Sequence, residues 1–353
     1  MNLSLHVGII PAWGLYFLYA RSQTMRICRL LALLIVFLSL SANARANEEF
    51  VITRVSHPFL ANEEIRAVAA RQGLRVWGLH NSLFVETSDG SILTFTPENS
   101  PLNAAGNITS VGICNGEIWA AQNSTYGGFG LCRYDFSKWI TLRDPDAPGL
   151  LNNRIVCMHA DKDDYLWFGH REHGVSRFVE TVNPSFRSYK IMHFYDNSLL
   201  TVFMQLTHLW IGSSNGIVRL RTEIKSNVEL NVDTWVFPKF PAREVFSICD
   251  YTDDRIIAGT SRGLAIFDGE NWSIKRKVDG IKALPATCLQ RVGDQVWIGS
   301  PVGLQLWQEN QPGRFFTEAD GLPSNHIKAL CLDENGNLLV GTIQGAAIII
   351  RQK

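Results

Sequence analysis

The stretch GLPSNHIKALCLDENGNLLVGTIQG occupies residues 321–345. It reads as a loop, a strand, a tight polar turn, a second strand and another turn closed by glycine. A stretch built on the same plan, GLLNNRIVCMHADKDDYLWFGHREHG, stands at residues 149–174. A plan that returns at a fixed period defines a repeat architecture before any other signal is weighed.

Seven glycines mark the return: Gly90, Gly130, Gly174, Gly216, Gly263, Gly303 and Gly345, spaced by 40, 44, 42, 47, 40 and 42 residues. Each closes a short polar turn between two strands, as in LWIGSSNGIVRL and VWIGSPVGLQLW. Such turns need positive φ, which glycine adopts at no steric cost. One position before each turn is large and apolar: Phe84, Trp119, Trp167, Trp210, Ile257, Trp297 and Leu339. Strand side chains alternate faces, so a bulky residue at one place per repeat points at one neighbour. These residues read as wedges between stacked sheets and not as a ligand platform.

A further strand precedes each hairpin: LRVWGLH, ITSVGIC, IVCMHAD, LTVFMQL, VFSICDY, TCLQRV and IKALCLD. A fourth follows, often around an aromatic, at Trp139, Phe186, Trp235, Trp272 and Phe315. Four strands per repeat, seven times over, predict an all-β, single seven-bladed β-propeller with four-stranded blades. NEEIRAVAARQG, residues 62–73, reads as the one helix of the folded part. The seventh repeat ends GAAIIIRQK with three strands, so residues 50–55 are expected to close the last blade beside residues 346–350. That arrangement removes an open edge.

These repeats resemble the two-component regulator propeller repeat. Its pattern runs Gly-Leu-Pro-Ser-Asn, a strand, Asp-x-x-Gly-x, then Leu-Trp-Ile-Gly-Thr-x-x-Gly. The likeness is strong in the third, fourth, sixth and seventh repeats. It weakens where Glu86 and Ala121 replace the hairpin glycine. The resemblance implies a periplasmic ligand-sensing propeller of the kind joined to membrane histidine kinases. Here the sequence stops at Lys353 with no membrane helix or kinase after it, so signalling is expected to pass through a separate membrane partner.

The N-terminal residues predict export. From Met25 the sequence holds Arg26 and Arg29, an apolar run over residues 30–40, and small-residue sites at Ala42, Ala44 and Ala46. Residues 25–46 read as a signal peptide, residues 1–24 as an upstream extension, and residues 47–353 as the propeller. A periplasmic or secreted location follows, without a membrane span once the signal is cleaved. Residues 1–46 hold four arginines and no acids, which leaves 29 basic and 33 acidic side chains. With no basic stripe, nucleic-acid binding is not expected. Six cysteines remain beyond residue 46. Five belong to inner strands and read as small buried apolar residues. No Cys-x-x-Cys pair occurs, and no cofactor or metal is expected.

Antiparallel blades put the blade-to-blade loops and the middle hairpin turns on one face, hereafter the loop face. The remaining turns form the opposite, turn face. The acidic turns there, DKDD, TDD and DEN, read as turn chemistry. On the loop face, the second-blade turn NSTYGGFG carries Tyr126 and Phe129. The third-blade turn HREHG carries His170, Arg171 and His173. Arg262 adds charge further round. These six are the candidate ligand-binding residues, since loops on a rigid scaffold carry binding and Tyr with Arg recurs in recognition. A small anionic ligand or an acidic protein segment would suit them. The expected function is a non-enzymatic sensing or ligand-binding propeller. A propeller enzyme of lyase or lactonase type, or an interaction platform, are the alternatives.

Overall fold

Each repeat folds into one antiparallel four-stranded sheet. In the third, the strands Ile155–Ala160, Leu166–His170, Gly174–Val179 and Ser185–Lys190 lie side by side in chain order. The turns between them are short, which allows only such a meander. The computed structural model describes residues 50–172, 174–179, 185–190, 198–222, 232–252 and 255–352, and these hold seven such sheets. The blades belong to a unit that spans Val51–Ile350. The extension and the export signal read over residues 1–46 lie outside the described residues, as does part of the TDD turn.

The seven first strands are Ala67–Arg71, Asn107–Cys114, Ile155–Ala160, Leu199–Gln205, Val245–Thr252, Cys288–Val292 and Ile327–Leu332. They gather around the axis, and neighbouring blades pack face to face. Apolar clusters therefore bridge blades: Trp119 shares one with Ile155, Leu166 and Phe168 of the next blade. Trp167 shares another with Leu199, Val202 and Ile211. Trp119, Trp167, Trp210 and Trp297 are all buried, as the wedge reading requires, and so are Ile257 and Leu339. Burying each such side chain contributes on the order of 2–3 kcal/mol. In three consecutive blades the wedge also carries an arginine on the strand opposite. The pairs are Trp119 with Arg133, Trp167 with Arg177, and Trp210 with Arg219. Each guanidinium carbon lies 5.5 or 5.6 Å from the indole, within cation–π reach.

All seven repeat glycines have positive φ, between 75° and 148°. Gly263 shows why no other residue serves. A Cβ there would stand 2.0 Å from the carbonyl oxygen of Lys275 on the outer strand. A hydroxyl three residues earlier completes the turn. Ser213, Thr260, Ser300 and Thr342 are buried, and each donates to the carbonyl of its glycine at 2.8–3.2 Å.

The first blade departs from the sequence reading. Its strands are Ala67–Arg71, Leu74–Gly78, Leu83–Glu86 and Ile92–Phe95. The segment read as a helix is the inner strand. The segment read as the inner strand is the second, so the wedge is Trp77. Phe84, taken for the wedge, is buried one strand further out, and Gly90 belongs to the outer turn. Alanine-rich AVAAR has helical propensity, but its backbone pairs with Leu74–Gly78 from Ala67↔Gly78 to Arg71↔Leu74. Its side chains fill the gap between two blades. Tertiary pairing overrides the local preference.

Ring closure follows the expected route. Phe50–Arg54 is the outer strand of the last sheet, beside Gly345–Arg351. Val55 N–H donates to the Ala346 carbonyl at 2.9 Å, and Arg54 donates to the Leu322 carbonyl at 2.8 Å. Charges lock the seam between the last and first blades. Arg75 pairs with Asp333 at 2.6 Å, and Glu334 accepts the N–H groups of Gln72 and Gly73 at 2.7 and 3.0 Å. The six cysteines are free thiols. Burial pushes Cys114, Cys157 and Cys288 up to about 12, and Cys132 and Cys331 up to about 11.

Candidate functional site

On the loop face, the turns of the second and third blades are fastened to one segment, Asn152 to Ile155. Gly130 N–H donates to the Asn153 carbonyl at 3.0 Å, and Asn123 Nδ2 to the Ile155 carbonyl at 2.6 Å. Gly128 admits the close approach: a Cβ there would stand 1.9 Å from the Asn153 oxygen. Arg154 joins the two turns. Its guanidinium reaches the Thr125 carbonyl at 3.4 Å, and its own carbonyl accepts Arg171 N–H at 2.8 Å. Asn152 adds a bond from Nδ2 to the Glu172 carbonyl at 3.0 Å. Ser124 Oγ accepts the N–H groups of Tyr126 and Gly127, each at 3.2 Å, and so orders the tip of the longer turn.

This frame presents two of the six candidate side chains together. Tyr126 is 99% exposed. Arg171 is exposed, and its side chain has no hydrogen bond or ion pair among the described residues. Phe129 is half-buried, and its Cδ2 would lie 3.0 Å from a Cβ on Gly106, so it packs against the blade. His170 requires a correction. It is 0% exposed, and its Nε2 lies 2.8 Å from Ser176 Oγ, which bonds Ser188 Oγ at 2.6 Å. It is an interior hydrogen-bonding residue and presents nothing to a ligand on that face. His173 lies outside the described residues. Arg262 stands apart from Tyr126 and Arg171, on the fifth blade. There it and Arg243 flank the ring of Phe237, with guanidinium carbons 5.5 and 5.1 Å from the centroid.

One of these outcomes had a signal in the sequence. His170 occupies the repeat position held by Ser213, Thr260, Ser300 and Thr342, and that position is buried in every case. Aligning the repeats on each other marks it as interior. Arg154, by contrast, is not among the six candidates read from the sequence. Its bridging role depends on the distance between two loops.

On the turn face, Asp161 and Asp333 spend their carboxylates internally. Asp161 Oδ1 accepts the N–H groups of Asp163 and Tyr165 at 3.0 and 2.9 Å, and Oδ2 accepts Trp167 Nε1 at 2.8 Å. Asp333 repeats the pattern with Asn335 and Asn337 at 2.9 and 2.8 Å. Bonding to Asn337 and Arg75 outweighs partial burial and holds its carboxyl below the usual range. Among the described residues no group of three or more His, Cys, Asp or Glu side chains could hold a metal ion. Between these turns the channel opens into a cavity of about 360 Å³, lined by the second halves of all seven inner strands. A second cavity of about 410 Å³ adjoins it and shares His159, Ala160, Phe203 and Asp250.

Known proteins resemble the chain in repeat and in fold. The two-component regulator propeller family matches at residues 149–172 and 321–344, so the chain carries two-component regulator propeller repeats. No curated protein matches the sequence. Among solved structures, the extracellular domain of a hybrid two-component system from B. thetaiotaomicron superposes with a TM-score of 0.66 at 18% identity. The match covers 85% of this chain and 42% of that one, so the chain spans less than half the length of that structure. Virginiamycin B lyase from Staphylococcus aureus superposes with a TM-score of 0.64 at 12% identity, covering 87% of this chain and 100% of the lyase. PorZ, a surface component of the type-IX secretion system of Porphyromonas gingivalis, gives 0.63 at 14% identity, covering 84% and 48%. A two-component extracellular domain, an enzyme and a surface component thus share the propeller, and at such identities the likeness is one of fold.

Proposed function

We propose that the chain is an exported sensing propeller that recognises a small anionic ligand, or an acidic segment of a partner, on its loop face. It acts through a separate signalling protein, and residues 25–46 serve as the removed export signal. The repeat type and the likeness to an extracellular two-component domain support the sensing role. The observation that carries the site is the pairing of a wholly exposed tyrosine with an exposed arginine on turns tied by Arg154. Arginine holds a carboxylate with two parallel hydrogen bonds, and tyrosine adds contact area at low entropic cost. Arg243 and Arg262 around Phe237 supply a second cationic anchor on the same face.

The test begins with native mass spectrometry of the exported protein to find a co-purified ligand. Its affinity is then compared between the parent and the Tyr126→Ala, Arg171→Ala double variant. The expected loss is about 2–4 kcal/mol, the range for a pair of anchors. Exposed charges are screened, so affinity should also fall as salt rises. An unchanged affinity in the double variant would remove the site from these turns.

A further inference from the structure

The channel mouth on the turn face is a cavity that the proposed sensing site does not use. Its volume, about 360 Å³, falls in the range of small-molecule pockets, and its lining mixes polar with apolar surface. Met158, Ile113 and Phe203 supply apolar wall, and Leu206, 55% exposed, stands at the rim of the adjoining cavity. Phe203 and His159 form a ring pair with centroids 4.8 Å apart and planes inclined at 49°. The charges of the wall are already matched. Arg291 bonds Asp250 at 2.6 Å, and Arg71 bonds Asp164 at 2.7 Å and the Asp161 carbonyl at 2.8 Å.

His159 is the exception to this internal satisfaction. Its ring makes no hydrogen bond among the described residues. The residue is half-buried and lines both cavities. Burial pushes the imidazole down to about 4, which leaves it neutral near pH 7. A neutral imidazole offers one donor and one acceptor. An ionic ligand would have to enter beside paired charges and lose its hydration without gaining a free counter-charge. An uncharged molecule meets no such cost.

We propose that this mouth is a second binding site, for a small uncharged heteroaromatic molecule of indole to nucleobase size, seated against Phe203 with its ring N–H on His159. The apolar wall takes the ring, the imidazole nitrogen accepts the N–H, and the wall's own charges, paired as Arg71–Asp164 and Arg291–Asp250, leave an ion no free counter-charge there.

The test uses the wild-type protein and three probes: indole, benzothiophene and indole-3-carboxylate. Benzothiophene keeps the bicyclic shape but replaces the N–H by sulfur. Binding is followed by calorimetry and by the imidazole C–H resonances in NMR. Indole should bind saturably at one site, and benzothiophene about fivefold more weakly, the loss of one hydrogen bond. Indole-3-carboxylate should also bind more weakly than indole. His159→Leu should bring indole to the level of benzothiophene, whereas the Tyr126→Ala, Arg171→Ala double variant should leave indole binding unchanged. Equal affinity for indole and benzothiophene in the wild-type protein would overturn the proposal, whatever the variants do. Failure of saturable indole binding would overturn it too. Neither result would touch the loop-face reading.

Discussion

Replacing Asp161 by Asn changes one atom of a buried side chain and tests how the turn face holds a blade wedge. The two carboxylate oxygens have three donors between them: two backbone N–H groups of the turn, and the indole N–H of Trp167 at 2.8 Å. Both residues are buried. If the amide oxygen of Asn keeps the backbone donors, its NH2 group faces the indole N–H, donor against donor. If the amide flips, two backbone N–H groups lose their acceptor. Either way a buried donor goes unsatisfied and a bond to a charged acceptor is lost, at a cost of about 1.5–3 kcal/mol. For a unit of this size the melting temperature should fall by about 2–5 °C. The assay is urea unfolding followed by circular dichroism, run as a double-mutant cycle with Trp167→Phe. Phenylalanine lacks the N–H, so the cost of Asp161→Asn on that background should shrink by about 1–2 kcal/mol. Trp119 and Trp210 serve as controls, because their indole nitrogens have no hydrogen-bond partner among the described residues. Strictly additive costs in the Trp167 cycle would refute the reasoning: the carboxylate would then be holding the turn alone.

Two further outcomes are expected. Deleting residues 47–56 removes the outer strand of the last sheet and the Arg54 and Val55 bonds. The truncated protein should melt lower and aggregate in size-exclusion chromatography, and melting like the parent would sink the closure as drawn. The second concerns acid. The folded pKa of His159 is about 4, below the ordinary 6.5, so between these values the unfolded chain binds a proton that the native imidazole refuses. Stability from this group is complete above pH 6.5 and declines as pH falls toward 4, by about 1–3 kcal/mol for a site partly open to solvent. His159→Gln should flatten that part of the stability–pH curve, and an unchanged slope would assign the acid sensitivity to other groups.

The architecture was legible in the sequence because each repeat carries its own local instructions. A glycine with positive φ and a bulky apolar residue six to eleven residues before it are local features, and their recurrence counts the blades. The loop-face cluster was partly legible too, since topology alone puts the turns of the second and third blades side by side. Three things were decided only by the tertiary structure. AVAAR has no local mark of a strand, and it became one because two neighbouring blades left a slot that a strand fills. His170 turned inward because it ends the second strand of its blade, where its Nε2 meets Ser176 on the third strand, which in turn bonds Ser188 on the outer one. The cavity around His159 and Phe203 has no sequence signature at all. Its walls come from seven inner strands spread along the chain, and only closure of the ring sets them around one axis.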